Sequence, residues 1–338
     1  MLRFMRNLIA LWGMALLLIS CGNPSEPTTI LSYTPQPLAL PTENLGDYSG
    51  LAWIDQGLVV LATKSGAPSR YRLFWLTFDR KLGDLVAIPD AIDADITLHR
   101  LPDRLPDGRL GFKYSTDMQV INGPPTDQHG YSAFDPTTNT LSELIPRPAP
   151  REILKSGSAI WNPAMDRALV TDGQYLGSQY YWWTASDGFQ PLDLEVDVAQ
   201  YFAWSPDGTT IAFFGLPDAG SGVVSALTRP ENLYFMDAEA GNRRVGLTDA
   251  YNIAGLQWSP DGQWLVFVAN FDRSSDQVWL FKPTTGQRLA LTPPGRYQWP
   301  AWSPDGSQIA VIWYDPSNTG DDDKDAVIVL DVPDLVRR

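Results

Sequence analysis

The sequence predicts an all-β fold, a six-bladed β-propeller with four antiparallel strands in each blade. The main observation is a repeat, because Trp-Ser-Pro-Asp-Gly occurs at 204–208, 258–262 and 302–306, each time between short apolar runs. In addition, 28 Pro and 27 Gly are too many for a fold of long helices. Apolar residues make up 44% of the 338, so the chain can bury a sizeable core.

The repeated pentapeptide has the composition of a tight turn between two strands. Pro presets φ, Asp bonds back to the backbone, and Gly accepts the positive φ at the exit. Apolar runs at 263–268, 277–281 and 287–292 follow the copy at 258–262. Together with the run before the turn, they predict four short strands, which make one propeller blade.

Six such units fit the chain. If positions 53, 104, 161, 204, 258 and 302 are equivalent, they are 51, 57, 43, 54 and 44 residues apart. The last unit ends after its third strand, and residues 36–41 resemble the fourth-strand segment 287–292. We therefore expect residues 36–41 to complete the sixth blade and close the ring, which removes exposed sheet edges. The predicted propeller spans 36–333, with a C-terminal tail at 334–338.

The repeat gives two sets of residues a structural role. Large aromatic side chains that follow the fold period fill the core between strands. The tryptophans expected there are Trp53, Trp161, Trp204, Trp258 and Trp302. The turn aspartates are Asp207, Asp261 and Asp305.

The repeats resemble the propeller of the TolB family, whose repeats are called WD40-like or PD40. The resemblance is specific in the C-terminal half and weaker in residues 50–200. TolB-family proteins carry an α/β domain before the propeller, and we do not expect one here, so contact with the Tol machinery is not carried over. Similar repeats precede the catalytic domain of prolyl-oligopeptidase-type hydrolases, which we also do not expect.

The first segment predicts secretion and lipidation. Arg3 and Arg6 precede an apolar run from residue 8 to residue 19, the outline of a signal peptide at 1–20. An uncleaved membrane helix is the alternative, but it needs about 20 apolar residues. Leu18-Ile19-Ser20-Cys21-Gly22 resembles the lipobox of bacterial lipoproteins, which implies that Cys21 is acylated and becomes the mature N-terminus. Residues 21–35 would then be the lipidated cysteine and a flexible tether.

The lipobox resemblance implies a place in the cell envelope. Gly22 follows the cysteine, where an aspartate would favour retention at the inner membrane. This favours the outer membrane on its periplasmic side, or the external cell surface. Membrane contact is then through the lipid on Cys21.

Composition argues against several function classes. A net charge of −14 makes a nucleic-acid-binding surface improbable. The chain has no Gly-x-Ser-x-Gly elbow, and its two histidines, His99 and His129, lie without a partner motif. We therefore expect no catalytic residues, no cofactor and no zinc site.

One acidic segment is a weak candidate for calcium. Residues 315–320 faintly resemble a calcium loop, but position twelve is Ala326 instead of Glu. The candidate ligands are Asp321, Asp323 and Asp325. A solvated charged loop is the alternative interpretation.

The long loops predict a binding face. In a propeller, the loops between second and third strands share a face with the connections between blades, and loops on a rigid scaffold commonly bind ligands. The loop residues expected on this face are Asp272, Arg273, Asp276 and Asp315. The connections add the aromatic residues Tyr48, Tyr201, Tyr251, Tyr297 and Trp299, which could instead pack between blades.

The leading functional hypothesis is a non-enzymatic, monomeric, lipid-anchored envelope propeller that binds a protein or polymer partner. The alternative is a propeller hydrolase or lyase that acts on glycans or small esters through carboxylates in its channel. An accessory subunit of an envelope enzyme is a third possibility.

Overall fold

The structure is a computed structural model, and every regular element among its described residues is a β-strand. It describes residues 29–30, 45–64, 71–77, 82–84, 96–98, 103–116, 128–138, 140–145, 158–172, 178–196, 198–217, 229–314 and 325–337. The all-β fold class predicted from the sequence is confirmed. Within these ranges, no helix is long and apolar enough to span a membrane.

The first half of the chain forms three antiparallel sheets. Sheet I contains β2 (Leu45–Ile54), β3 (Gly57–Lys64), β4 (Tyr71–Thr77) and β5 (Leu82–Asp84). Sheet II contains β6 (Ile96–Leu98), β7 (Asp103–Arg104), β8 (Leu110–Thr116), β9 (Gln128–Asp135) and β10 (Thr140–Ile145). Sheet III contains β11 (Ala159–Trp161), β12 (Arg167–Thr171), β13 (Tyr180–Thr184) and β14 (Gly188–Leu192).

The second half is organised around one long strand, β18 (Arg244–Trp258). Its first part pairs with β17 and its second part with β19, so it joins two four-stranded units. Sheet IV is β15 (Val198–Trp204), β16 (Thr210–Leu216), β17 (Glu231–Asp237) and residues 244–250. Sheet V is residues 251–258, β19 (Leu265–Asn270), β20 (Gln277–Lys282) and β21 (Gln287–Ala290). Sheet VI is β22 (Arg296–Trp302), β23 (Gln308–Tyr314) and β24 (Asp325–Asp331).

Both chain ends differ from expectation. Strand β1 (Thr29–Ile30) lies in the expected tether, yet it pairs in parallel with β21, Thr29 opposite Leu289. Residues 36–41, expected to complete the last sheet, lie outside the described residues, and sheet VI has three strands among those described. Val336 lies in the expected tail but is buried in a cluster shared by sheets V and VI, so packing continues beyond residue 333.

Apolar clusters join neighbouring sheets. Trp161 of sheet III packs edge-on against Trp183 within a cluster that also holds residues of sheet II, and Phe214 of sheet IV contacts Phe267 of sheet V. Further clusters join sheets III and IV and sheets V and VI. Another cluster joins sheet I to sheet VI, and its buried members are Leu51, Trp53, Leu58, Val60, Ala301, Ala310, Ile312 and Val327.

The Trp-Ser-Pro-Asp-Gly segments form hairpin turns held by their own side chains. In the copy at 302–306, Ser303 Oγ donates to Asp305 Oδ1 at 2.7 Å, and the Gly306 N–H donates to the Ser303 carbonyl at 2.9 Å. Gly306 has φ 69°, which glycine adopts without steric cost. Hydrogen bonds from Ser303 and Ser307 lower the pKa of the Asp305 carboxyl. The same serine–aspartate contact recurs at Asp207 and Asp261.

Candidate functional site

A cavity of about 310 Å³ is lined by residues from all six sheets. Residues of β2, β7, β11, β15, β18 and β22 line its wall, and these strands come from sheets I, II, III, IV, V and VI in that order. The volume is at the lower end of the range for ligand pockets, about 300–1,000 Å³. We treat this cavity as the candidate site.

Two aromatic side chains in the wall hold unusual backbone conformations. Tyr201 and Trp299 each stand three residues before a repeat tryptophan, and their φ values are 54° and 55°. Strand register shifts at both places, between Gln200 and Ala203 and again in β22. Such bulges redirect a side chain, and a bulky residue in the left-handed region costs about 1–3 kcal/mol.

The two aromatic rings meet across the intervening sheet. Tyr201 belongs to sheet IV and Trp299 to sheet VI, and their ring centroids are 6.0 Å apart at an interplanar angle of 60°. In sheet V the matching position, three residues before Trp258, is Gly255 with φ 75°. A Cβ there would lie 2.8 Å from Cδ of Pro300 in β22, so only glycine fits at this position.

Two glutamine amides in the wall are held in place by neighbours. Gln200 Nε2 donates to both carboxylate oxygens of Glu231, at 2.8 and 2.9 Å. Gln257 Oε1 accepts from the Trp302 backbone N–H at 2.6 Å. These bonds leave the Gln200 oxygen as an acceptor and the Gln257 nitrogen as a donor for a ligand.

Charge in the wall is sparse. Asp103 and Arg104 are the charged residues among the described lining, and Arg104 Nη2 pairs with Asp55 Oδ1 at 3.0 Å. The Tyr131 hydroxyl donates to Asp103 Oδ2 at 3.4 Å, and burial together with this carboxylate raises the pKa of Tyr131. Glu231 is 6% exposed, and burial raises the pKa of its carboxyl. The cavity therefore offers mainly apolar, aromatic and neutral polar groups.

Other members of the predicted binding face form a separate cluster. Arg273 Nη2 donates to the Tyr251 hydroxyl at 2.7 Å, and its guanidinium carbon lies 4.8 Å from that ring's centroid. Asp276 Oδ1 accepts from Asn270 at 2.9 Å. Asp272 accepts from the backbone and hydroxyl of the following serine at 274, which lowers the pKa of its carboxyl.

Tyr297 lies in a different environment from the other aromatic residues of that face. Its side chain is 2% exposed and packs in the cluster shared by sheets V and VI, and burial raises the pKa of its hydroxyl. The bulge between residues 298 and 301 explains the difference from Trp299, because it interrupts the alternation of side chains along β22. Tyr297 therefore does not present an exposed surface.

The repeat tryptophans are buried or half-buried and link neighbouring sheets. The indole N–H of Trp204 donates to the Ile160 carbonyl at 3.2 Å, and that of Trp258 donates to the Ala203 carbonyl at 3.1 Å. Each donor belongs to the sheet that follows its acceptor along the chain. Trp53, Trp161 and Trp302 are 4–5% exposed.

Several predicted residues cannot be placed with their side chains. Cys21, His99, Asp315, Asp321 and Asp323 lie outside the described residues. Tyr48 lies in β2, His129 in β9 and Asp325 in β24, but only their backbones are described. In the part of the chain that the structure describes, no three His, Cys, Asp or Glu side chains are grouped to hold a metal ion.

Sequence reasoning missed Gln200, Gln257, Asp103 and Gly255 as parts of one site. The available signal was the position three residues before each repeat tryptophan. Before Trp161, Trp204, Trp258 and Trp302 that position is Ser158, Tyr201, Gly255 and Trp299, and these four line the cavity, whereas Gly50 before Trp53 is not part of the lining.

Comparisons with known proteins add information on the fold. No family model matches the chain. The Uncharacterized protein Atu1656 of Agrobacterium fabrum is 25% identical over 150 residues, which cover 43% of this chain and 47% of that protein. The chain thus matches about half the length of this relative.

Solved structures with similar folds include a puromycin-hydrolyzing peptidase of Mycobacterium tuberculosis and an oligogalacturonate lyase in complex with manganese. The peptidase has a TM-score of 0.54 at 11% identity, over 90% of this chain and 55% of that chain. The lyase has a TM-score of 0.50 at 13% identity, over 88% of this chain and 92% of that chain. The lyase is a β-propeller, and the likeness concerns the fold alone.

A putative TolB from Agrobacterium tumefaciens, also a β-propeller, is a third similar structure. Its TM-score is 0.45 at 14% identity, over 69% of this chain and 89% of that chain.

Proposed function

We propose that the chain is a non-enzymatic binding module, a closed ring of six sheets whose central cavity holds part of a protein or polymer partner. The ring is held at the cell envelope by an acylated Cys21.

The packing of the sheets supports ring closure. Consecutive sheets from II to VI share apolar clusters, and sheets I and II are linked by the Arg104–Asp55 ion pair. Leu58 and Val60 of sheet I pack with Ile312 of sheet VI, so first and last sheets are neighbours. A cavity wall drawn from all six sheets fits the same arrangement.

The observation that carries the binding proposal is the conformation of Tyr201 and Trp299. Left-handed backbone at bulky residues is costly and tends to occur at ligand sites, where the surrounding structure holds it in place. Beside these rings, Gln200 offers an acceptor and Gln257 a donor. An apolar surface flanked by a fixed donor and acceptor suits a neutral ligand segment with its own hydrogen-bonding groups, as in a peptide.

Site-specific photocrosslinking tests the binding proposal. A photoreactive phenylalanine analogue at Tyr201 should crosslink one envelope partner in cells, whereas the same group at Ala185, an exposed turn residue, should not. Competition with the unlabelled protein should reduce the crosslink. Equal crosslinking from both positions, or none from Tyr201, would count against the cavity as the binding site.

The anchor has its own test. Mass spectrometry of the purified N-terminal peptide should find Cys21 acylated and the residues before it removed. An unmodified Cys21 on an uncleaved leader would contradict the anchor.

A hydrolase or lyase is the second candidate, and two carboxyl groups favour it. Asp103 lies in the cavity wall, and Glu231, whose pKa is raised by burial, lies one hydrogen bond behind Gln200. A carboxyl whose pKa is raised keeps its proton to a higher pH than a free carboxyl, which is what a general acid needs. Turnover of a glycan or ester that is lost in both Asp103→Asn and Glu231→Gln would establish this alternative over the binding module.

A further inference from the structure

We propose that the outer edge of sheet V is the surface that faces the membrane, where it contacts anionic lipid headgroups. We call this edge, together with Arg244 of the adjoining sheet IV, the sheet V rim. Its other residues are Thr29, Ile30, Lys282, Thr284 and Arg288. The inference rests on the proposed acylation of Cys21 and adds an orientation to it.

A short length of chain separates the proposed acyl group from the rim. Thr29 is paired with Leu289 at the edge of sheet V, eight residues after Cys21. An extended chain spans at most about 3.3–3.6 Å per residue, so the lipidated cysteine lies within about 29 Å of this edge. The proposed anchor therefore attaches close to sheet V and keeps this edge within reach of the membrane.

The sheet V rim is locally basic in an otherwise acidic chain. The chain as a whole carries −14, yet residues 277–304 contain no Asp or Glu and include Lys282, Arg288 and Arg296. This stretch is the longest in the sequence without a carboxylate side chain. Strand β21 lies within it, so the edge that receives the N-terminal segment is locally basic.

Two guanidinium groups lie at the rim, that of the exposed Arg244 and that of the half-buried Arg288. Arg288 lies over Phe271, 3.9 Å from its ring centroid, and Arg244 lies 4.4 Å from the Phe235 centroid. Among the described residues, neither guanidinium makes an ion pair or a hydrogen bond. Ring stacking leaves guanidinium N–H groups at its edge free for phosphate oxygens.

Two carboxylates in the β17–β18 turn of sheet IV have partners in sheets III and IV. Asp237 Oδ1 accepts from the Gly241 N–H at 2.8 Å in the turn of sheet IV. Glu239 pairs with Arg167 at 3.1 Å. Each basic residue near an anionic leaflet attracts it, and a basic patch supplies the second contact that steadies a lipid anchor.

Fluorescence quenching at two matched turns tests the orientation. Thr284 lies in the β20–β21 turn and Ala185 in the corresponding β13–β14 turn of sheet III, and both are exposed. Thr284→Cys and Ala185→Cys are each made in the full chain, and acylation of Cys21 leaves the new thiol as the site for a fluorophore. The chains are placed in phosphatidylglycerol-containing vesicles with a nitroxide on the lipid headgroup.

We expect several-fold stronger quenching at residue 284 than at residue 185. The contrast should shrink in zwitterionic vesicles, and in the double variant Arg244→Gln, Arg288→Gln. Equal quenching at both turns, with mass spectrometry showing an acylated Cys21, would overturn the rim and leave the anchor intact. A non-acylated Cys21 would overturn the anchor, and the rim with it.

Discussion

Replacing Gly255 with alanine tests the packing of the cavity wall. Gly255 has φ 75°, and a left-handed conformation costs an L-residue about 1–2 kcal/mol. The new Cβ would also lie 2.8 Å from Cδ of Pro300, and overpacking of this kind costs about 1–3 kcal/mol more. Because alanine lowers the entropy of the unfolded chain by about 0.4–1 kcal/mol, we expect a net loss of about 1–4.5 kcal/mol.

Gly286 is the matched control. It has the same φ of 75°, but a Cβ built on it meets nothing within 4 Å. Gly286→Ala should therefore lose only about 1 kcal/mol, the cost of the backbone conformation. Urea unfolding, with linear extrapolation to water, measures both losses. Equal losses of unfolding free energy in the two variants would refute the argument that a side chain at position 255 clashes with Pro300 of sheet VI.

Three further predictions concern an inter-sheet contact and two carboxyl groups. Arg167 donates to the Ala238 carbonyl at 2.7 Å and lies 4.4 Å from the Trp182 ring centroid, so Arg167→Ala should cost about 2–3 kcal/mol in urea unfolding. Glu239→Ala should cost under about 1 kcal/mol because Glu239 is 79% exposed. Equal losses of stability in Arg167→Ala and Glu239→Ala would contradict the larger contribution of the carbonyl and ring contacts. Burial raises the folded-state pKa of Glu231 above its unfolded value, so its contribution favours folding at low pH and is lost as the pH rises through the raised value. Across that pH range, the urea midpoint of Glu231→Gln should decline less with rising pH than the midpoint of the parent protein. The same pH dependence in both proteins would contradict the raised pKa of Glu231. The pKa of Asp305 is lowered, so its contribution is present above the unfolded pKa and lost as the pH falls through the folded value. Asp305→Asn should lower thermal stability at neutral pH by less than about 1 kcal/mol and have no effect in acid, whereas an equal loss at both would refute this.

The strands and turns were predictable because their determinants are local. Trp-Ser-Pro-Asp-Gly forms its hairpin through contacts within five residues, as between Ser303 and Asp305. Alternating apolar residues then set the flanking strands. The pairing of Thr29 with Leu289 could not be predicted, because a two-residue strand has no pattern and its partner is distant in sequence.

The candidate site was predictable only in part. Tyr201 and Trp299 were selected as aromatic residues near the repeat tryptophans, but Tyr297 was selected by the same rule and is buried. Tyr201 and Trp299 differ from Tyr297 because they lie in strand bulges and have left-handed backbone conformations. Tyrosine and tryptophan do not favour this conformation by themselves. Gln257 belongs to the site because its amide accepts from Trp302 in the next sheet, a contact that only packing creates.

The distance between the first and last sheets tests the proposed ring most directly. Spin labels at Asp55 and Ser307, in the turns of sheets I and VI, are compared with labels at Gln263 and Ser307, in the neighbouring sheets V and VI. Cys21→Ser removes the native thiol from both pairs. A closed ring predicts similar, narrow distance distributions for the two pairs in pulsed electron–electron double resonance. A much longer or broad distribution for the 55–307 pair, with a narrow one for the 263–307 pair, would contradict closure and the central cavity that depends on it.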